Sequence, residues 1–461
     1  MAGSKTVAAI STPHAVGGIS VVRISGPDAI AAADRVFRPV SGRSLAEHRG
    51  YTAAYGTVYD GEEAVDEAVV TVFRAPKSYT GEDVAEISCH GGLYVTRRVL
   101  MAVLRQGVSP AGPGEFTKRA FLNGKLSLTQ AEAVADLIQA GGEQSLRSAR
   151  GAVNGALYRK IQGLTERMLE VSGHIAAYMD YPEEEIDPVE SDEVRSVLTQ
   201  VKAEMDGLLA RFDQGRMIRE GVETVILGKP NVGKSTLMNL LAGARKSIVT
   251  DIPGTTRDVV EETVTLGGVV LRLADTAGIR ETGDAVEQAG VELALERLDS
   301  AQLVLAVFDS SSPLTAEDER LMERLGGVPC VAVCNKTDLG QMLDVQKLRE
   351  RFCPEKSARL VEISAQEGKG LEELSRAVEE VLSLNGIEAS GAMLANMRQF
   401  SCAERAASLL EEALATLEAG YTLDAVDVSV ESVISSLLEL TGERVTDAVV
   451  EQVFSRFCVG K

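Results

Sequence analysis

The chain reads as a multidomain protein of α/β plus all-α class, and three observations carry that reading. The apolar run Val225-Ile226-Leu227 passes into Gly228-Lys229-Pro230-Asn231-Val232-Gly233-Lys234-Ser235, and the amphipathic stretch Thr236-Leu237-Met238-Asn239-Leu240-Leu241 follows: a strand, a glycine-rich turn and a helix start. Residues 1–125 carry many glycines, turns and short β-type runs such as Gly18-Ile19-Ser20-Val21-Val22-Arg23-Ile24, the texture of a compact α/β unit. From about residue 126 the apolar period changes to steps of three and four.

That helical period is interrupted. Leu157, Ile161, Leu164, Met168, Val171 and Ile175 make one face suited to packing on other helices, and Val194, Val197, Leu198 and Val201 continue it. It returns far downstream in Leu410, Ala413, Leu414 and Leu417, then in Val430, Val433, Ile434 and Leu437. Neither half is a complete bundle. The sequence therefore predicts an α/β domain at 1–125 and a helical domain in two parts, 126–216 and 384–461, interrupted by a domain inserted at 217–383.

The inserted segment carries chemistry. Its two loop glycines let backbone N–H groups turn inward around a polyphosphate, Lys234 reaches the terminal phosphates, and the Ser235 hydroxyl can ligate Mg2+. A chance match to the four fixed positions is expected in on the order of a per cent of chains this long, and the flanking strand and helix lower that further. About a hundred residues on, the apolar run 328–334 reads as a buried strand delivering Asn335-Lys336-Thr337-Asp338 at its C-terminal end, where open α/β sheets bind ligands. A carboxylate at Asp338 can accept from the ring N–H and the exocyclic amine of guanine together, which selects GTP over ATP.

The remaining parts lie around these two. Val269-Val270-Leu271-Arg272-Leu273-Ala274 is a strand ending in Asp275-Thr276-Ala277-Gly278, where Asp275 can hold the Mg2+ shell and the Gly278 N–H can meet the terminal phosphate. Thr250-Asp251-Ile252-Pro253-Gly254-Thr255-Thr256-Arg257-Asp258 is a polar loop suited to closing over the metal, with Thr256 its expected Mg2+ ligand beside Ser235. Ser364-Ala365 fits a backbone contact behind Asp338. Five elements in this order make the inserted domain a Ras-like P-loop GTPase. One position departs from that pattern: Ile279 stands where such enzymes often carry a glutamine that orients water. Glu281, Asp284 and Glu287 are the nearby carboxylates, and spacing does not choose among them.

Composition bounds the rest. With 461 residues, 45% of them apolar, the chain can bury two or three cores. Cys89, Cys330, Cys334, Cys353, Cys402 and Cys458 have neither zinc nor disulfide spacing, and Cys330 and Cys334 are expected to pack. No apolar run approaches membrane length and the N-terminus lacks a secretory pattern, so a cytoplasmic protein is expected. A formal charge of −21 argues against wrapping nucleic acid; any RNA contact is local or shared with a second protein.

Further segments bring a resemblance into view: Arg23-Ile24-Ser25-Gly26, Ser78-Tyr79-Thr80-Gly81-Glu82-Asp83-Val84-Ala85-Glu86, His90-Gly91-Gly92, residues 113–125, Asp180 with 181–187, and the terminal Phe457-Cys458-Val459-Gly460-Lys461. With the GTPase motifs, they make the chain resemble, from end to end, the MnmE (TrmE) family of tRNA-modification GTPases. The resemblance implies a homodimer whose N-terminal domains pair and bind a tetrahydrofolate derivative, in 5-formyl or methylene form, with contacts falling on Arg23, Glu86, Lys125 and Lys461. It implies a flavoprotein partner of the MnmG (GidA) family, which carries the FAD, and a carboxymethylaminomethyl-type (aminomethyl) group placed on the wobble uridine of certain tRNAs. It also implies that Glu287 activates water. Asn231, with the backbone at Thr250, Ile252 and Thr255, then holds a K+ ion near the phosphates, supplying charge stabilisation that other GTPases take from an arginine. Cys458 is either catalytic or redox-active, or simply small beside a pocket. The GTPase motifs alone would equally permit a GTP-switched binding protein for RNA or ribosome assembly. That reading calls for a basic appendage, which this acidic chain lacks, whereas the N-terminal domain and the Cys-Val-Gly-Lys end at 458–461 favour the modification enzyme.

Overall fold

The computed structural model describes residues 5–180, 188–244, 262–273, 298, 301–325, 328–352, 358–382 and 390–461. The chain makes two compact units. One comprises Met1–Ala135, Ile161–Ala176 and Val430–Lys461, the other Asp136–Lys160 and Ala177–Ser429. Among the described residues no helix is long and apolar enough to cross a membrane.

The first unit opens with β1 (Val7–Ile10), β2 (Ile19–Ser25), α1 (Ala29–Val36), β3 (Phe37–Pro39), β4 (Thr52–Asp60), β5 (Glu63–Phe73), β6 (Val84–His90), α2 (Leu93–Leu104), β7 (Ser109–Pro110) and α3 (Glu115–Leu122). The strands form one sheet in the order β3-β4-β5-β6-β2-β1-β7, antiparallel except for the parallel pair β1 and β7. Period-two alternation decides its faces. Val22, Ile24, Val70, Val72 and Ile87 point to a core shared with Ile30 and Ala33 of α1 and Val99 and Val103 of α2. The alternate positions Ile19, Tyr55 and Val69 are exposed on the other face, which Phe116 and Ala111 cover beside Val7 and Ala9 of β1. Arg23 and Glu86 are paired in register on that same face.

Four helices follow in sequence: α4 (Leu128–Gln139), α5 (Glu143–Val153), α6 (Ala156–Asp180) and α7 (Ser191–Leu209). On α6 the expected stripe is buried at Leu157, Ile161, Leu164, Met168 and Ile175, while Val171 is half-buried at the margin of the face. After α8 (Phe212–Glu220) the second unit turns to its sheet: β8 (Val222–Leu227), α9 (Lys234–Ala244), β9 (Glu262–Leu266), β10 (Val269–Leu273), β11 (Leu303–Asp309), α10 (Ala316–Arg324), β12 (Cys330–Asn335), α11 (Val345–Phe352), β13 (Ala358–Glu362) and α12 (Leu371–Val381). Strand order is β13-β12-β11-β8-β10-β9, all parallel except β9.

Both faces of this sheet are covered, as a parallel sheet requires. Val331 and Val333 face Leu237, Leu374 and Val378 on one side, and Cys330, Ala332 and Cys334 face Leu325 and Leu348 on the other. Each fully buried Val or Leu contributes about 1.5–3 kcal/mol. The strand expected at 328–334 begins two residues later and takes in Asn335, because Pro329 has no N–H to give the ladder. Helices α13 (Met397–Glu418), α14 (Leu423–Thr441) and α15 (Asp447–Phe454) complete the chain. Helix α7, which precedes the parallel sheet in sequence, packs on α13, which follows it. Between these flanks Phe212 and Phe400 stack with centroids 4.5 Å apart. The fold is thus α/β plus all-α, with a P-loop domain interrupting a helical one.

Candidate functional site

Parallel strands bring their carboxyl ends to one edge, and the loop after β8 sits there. Two conformations that most residues avoid shape it: Gly233 at φ +95° and Asn231 at φ +65°. A Cβ at position 233 would collide with Nδ2 of Asn335, so only glycine lets these two segments meet. Lys234, 8% exposed, opens α9 and donates from Nζ to the carbonyl oxygens of Gly228 (2.8 Å) and Lys229 (2.9 Å). The side chains of Asn231, Ser235 and Thr236 are exposed at the loop, and Val232 is buried beneath it. The Ser235 hydroxyl on the first turn of α9 is therefore free to serve as one oxygen ligand of a hard cation such as Mg2+.

Asn335 joins three segments. Its Nδ2 donates to the Val232 carbonyl (2.9 Å), and its Oδ1 accepts from the Ala365 amide (2.9 Å). Lys336, at φ +65°, donates from Nζ to the Asn231 carbonyl (2.5 Å) and to Oδ2 of Asp309 (2.7 Å). Burial pushes the Asp309 carboxyl up, but hydrogen bonds from Lys336 and Ser311 outweigh it and hold the group below its ordinary range. Asp338 stays exposed, and one of its oxygens accepts from the Ser364 hydroxyl at 2.6 Å. An ionised carboxylate held by one hydroxyl keeps its remaining lone pairs for two further donors.

The structure thus gathers Asn231, Val232, Gly233, Lys234, Asn335, Lys336, Asp338, Ser364 and Ala365 at one sheet edge. Thr250, Asp251, Ile252, Pro253, Gly254, Thr255, Thr256, Asp275, Thr276, Ala277, Gly278, Ile279, Glu281, Asp284 and Glu287 lie outside the described residues. Among those described, no group of three or more His, Cys, Asp or Glu could hold a metal.

A second constellation lies in the first unit. Arg23 Nε donates to Oε1 of Glu86 at 2.7 Å, with both side chains about three-quarters buried. The Arg23 guanidinium lies 5.4 Å from the Phe116 ring and 5.8 Å from that of Tyr79. The Phe116 N–H in turn donates to the Lys461 carbonyl oxygen at 3.0 Å. Around it the tail is stitched down: Val459 pairs with Pro113, the Gly114 N–H donates to the Cys458 carbonyl (3.2 Å), and the Ser11 hydroxyl donates to the Gly460 carbonyl (3.0 Å). Gly460 has φ +96°, and a Cβ there would strike the Ile10 carbonyl oxygen. Phe454 and Phe457 anchor this corner against Leu128 and Ala131. Lys125 donates from Nζ to the Pro76 carbonyl (3.2 Å), on the loop that carries Tyr79. The Cys458 side chain is a free, exposed thiol.

Sequence reasoning gave no role to Arg119, which is buried. It donates to Glu82 and Glu115 (2.9 Å each) and to the Lys5 carbonyl (2.8 Å), while Glu82 also accepts from Ser25 (2.8 Å). The network locks the 78–86 segment to α3. Its signal was available: Arg119 stands between the apolar Phe116 and Ala120 and four residues after Glu115.

Two family models match the chain, one described as the MnmE helical domain over residues 128–458, the other as the GTP-binding protein TrmE N-terminus over residues 6–125. The "tRNA modification GTPase MnmE" of Geobacillus kaustophilus is 42% identical over 460 residues, covering 99% of both chains. That of Symbiobacterium thermophilum is 43% identical over 461 residues and covers all of both. That of Bacillus subtilis is 40% identical over 460 residues, 99% of this chain and all of its own.

Proposed function

The chain belongs to the MnmE family of tRNA modification GTPases, and we propose that it couples GTP hydrolysis to modification of the wobble uridine of certain tRNAs. In this reading it acts with a flavoprotein of the MnmG family and adds a carboxymethylaminomethyl-type (aminomethyl) group built from a tetrahydrofolate one-carbon unit. GTP hydrolysis itself belongs to the family. The single observation that supports the rest is the corner where Lys461 meets the Arg23–Glu86 pair through Phe116. A carboxylate at Glu86 matches the ring donors of a pterin, while Arg23, Lys125 and Lys461 supply cations for a glutamyl tail. The rings of Tyr79 and Phe116 offer a flat apolar wall beside them. The open sheet face carrying Ile19, Tyr55 and Val69 supports pairing of two N-terminal domains in a homodimer.

On the nucleotide side, Lys234 and the loop N–H groups receive the phosphates, Asp338 selects guanine, and Ser235 with Thr256 would hold Mg2+, which neutralises developing charge when bound. Glu287 is proposed to activate water in place of the glutamine that Ile279 replaces. Asn231, Thr250, Ile252 and Thr255 are proposed to hold K+. The test is nucleoside analysis of tRNA from a strain lacking this protein. Loss of the modified wobble uridine is expected; an unchanged nucleoside profile would overturn the proposal while leaving the GTPase intact.

A further inference from the structure

The loop lysine that no phosphate role absorbs is Lys229. Its Nζ lies 2.9 Å from Oδ2 of Asp318 on α10, with Lys229 17% and Asp318 2% exposed. The same Oδ2 accepts from the Thr315 amide (2.9 Å) and the Thr315 hydroxyl (2.8 Å), which closes the first turn of α10. Oδ1 of Asp318 is buried and has no hydrogen-bond partner among the described residues. A carboxylate this deep is costly unless a cation pairs with it, and a helix cap alone does not require one. An asparagine would accept from Thr315 equally well. The charge is therefore explained by Lys229.

What the pair holds in place is a carbonyl. The backbone oxygen of Lys229 is one of two oxygens that receive the Lys234 ammonium. We propose that Asp318 is a positioning residue for GTP hydrolysis: through Lys229 it fixes the carbonyl that aims Lys234 at the terminal phosphates. The inference rests on the reading of residues 228–235 as the phosphate loop. Shifts of about an ångström in such a group cost up to about a hundredfold in rate, so a loosened tether should show in kcat.

The test uses the full chain, with kcat referred to protein competent to bind a fluorescent GDP, and with KM and Tm measured alongside. Asp318→Asn keeps the acceptor for Thr315 and removes the charge; it should lower kcat about tenfold with KM changed less than about threefold. Lys229→Met should do the same, and the double variant should be no slower than the worse single variant, since both break one link. Thr315→Val loosens the helix cap but keeps the ion pair, so it should lower Tm and leave kcat within about twofold. A parental kcat in Asp318→Asn, or losses that multiply in the double variant, would overturn the tether. If either single variant fails to fold, the double variant, which leaves no unpaired buried charge, decides by its kcat alone. Lys234→Ala separates the two readings. Parental turnover there removes the phosphate loop itself, whereas lost turnover there with normal Asp318→Asn removes only the tether.

Discussion

The two constellations are built in opposite ways. The phosphate loop is continuous, eight residues between one strand and one helix, and most of its geometry follows from local backbone: Gly233 and Asn231 in the left-handed region and Lys234 folded back on its own loop. The corner at Lys461 has no local geometry of its own. It exists because Ser11, Gly114 and Phe116 meet residues more than three hundred positions away. A contiguous site owes little to distant segments beyond braces such as Asp318 and Asn335, while an assembled one fails when any contributing segment shifts.

The largest effect that tests this contrast is Lys234→Ala. Removing a preorganised cation from developing phosphate charge should lower GTP turnover about 10²–10³-fold in a phosphate-release assay, with no loss of binding by a folate derivative. Turnover near the parental rate would break the assignment of the loop. Asp338→Asn comes next. Losing two charge-assisted hydrogen bonds should weaken GTP about a hundredfold and improve xanthosine triphosphate, as read by equilibrium titration. Equal GTP affinity in variant and parent would remove Asp338 from base recognition.

Gly460→Val reads the other region. Its left-handed backbone and the Ile10 carbonyl leave no room for a side chain, so the tail should lift, at a cost of about 1–3 kcal/mol in stability. Binding of 5-formyltetrahydrofolate should fall with it, whereas GTP turnover per folded molecule should hold; coupled losses would erase the contrast between the regions. The smallest effect is a titration. The hydrogen bond from His90 Nδ1 to Asp66 (2.7 Å) and the charge of Asp66 raise the His90 pKa. A raised folded pKa contributes stability fully present below the ordinary value near 6.5, and that contribution is lost as pH rises through the folded value. His90 is exposed, so the slope should be shallow, and Asp66→Asn should return the NMR titration midpoint to the ordinary range. A midpoint unmoved by that substitution would mean that the pairing is absent in solution.

The same contrast explains what could be read from sequence. Glycine, lysine and serine at fixed spacing between a strand and a helix name a phosphate loop because every part of it is local. The stripes on α6 and α7 were legible for the same reason, since a helix face is a periodic object. That Arg23 and Lys461 both lie at Phe116 is invisible to period and propensity; only resemblance to a family pointed to it. Asp318 was missed differently: it lies in Ala316-Glu317-Asp318-Glu319, where three acidic residues in a first turn look like ordinary helix-end charge. Burial of one of them beside Lys229 is a tertiary fact. Asn335 was expected at the nucleotide site as part of residues 335–338; its bonds to Val232 and Ala365 add a bracing role that no four-residue pattern encodes.

The stitched corner also has a position in time. Ser11 and Gly460, which share a hydrogen bond, are 449 residues apart. At ordinary synthesis rates of about 5–20 residues per second, the end of β1 waits roughly 20–90 s for this partner. A chain stopped before residue 457 leaves the Gly114 and Phe116 amides without the acceptors they have here. The corner therefore forms only after residues 458–461 have been made, and any activity that depends on it follows them.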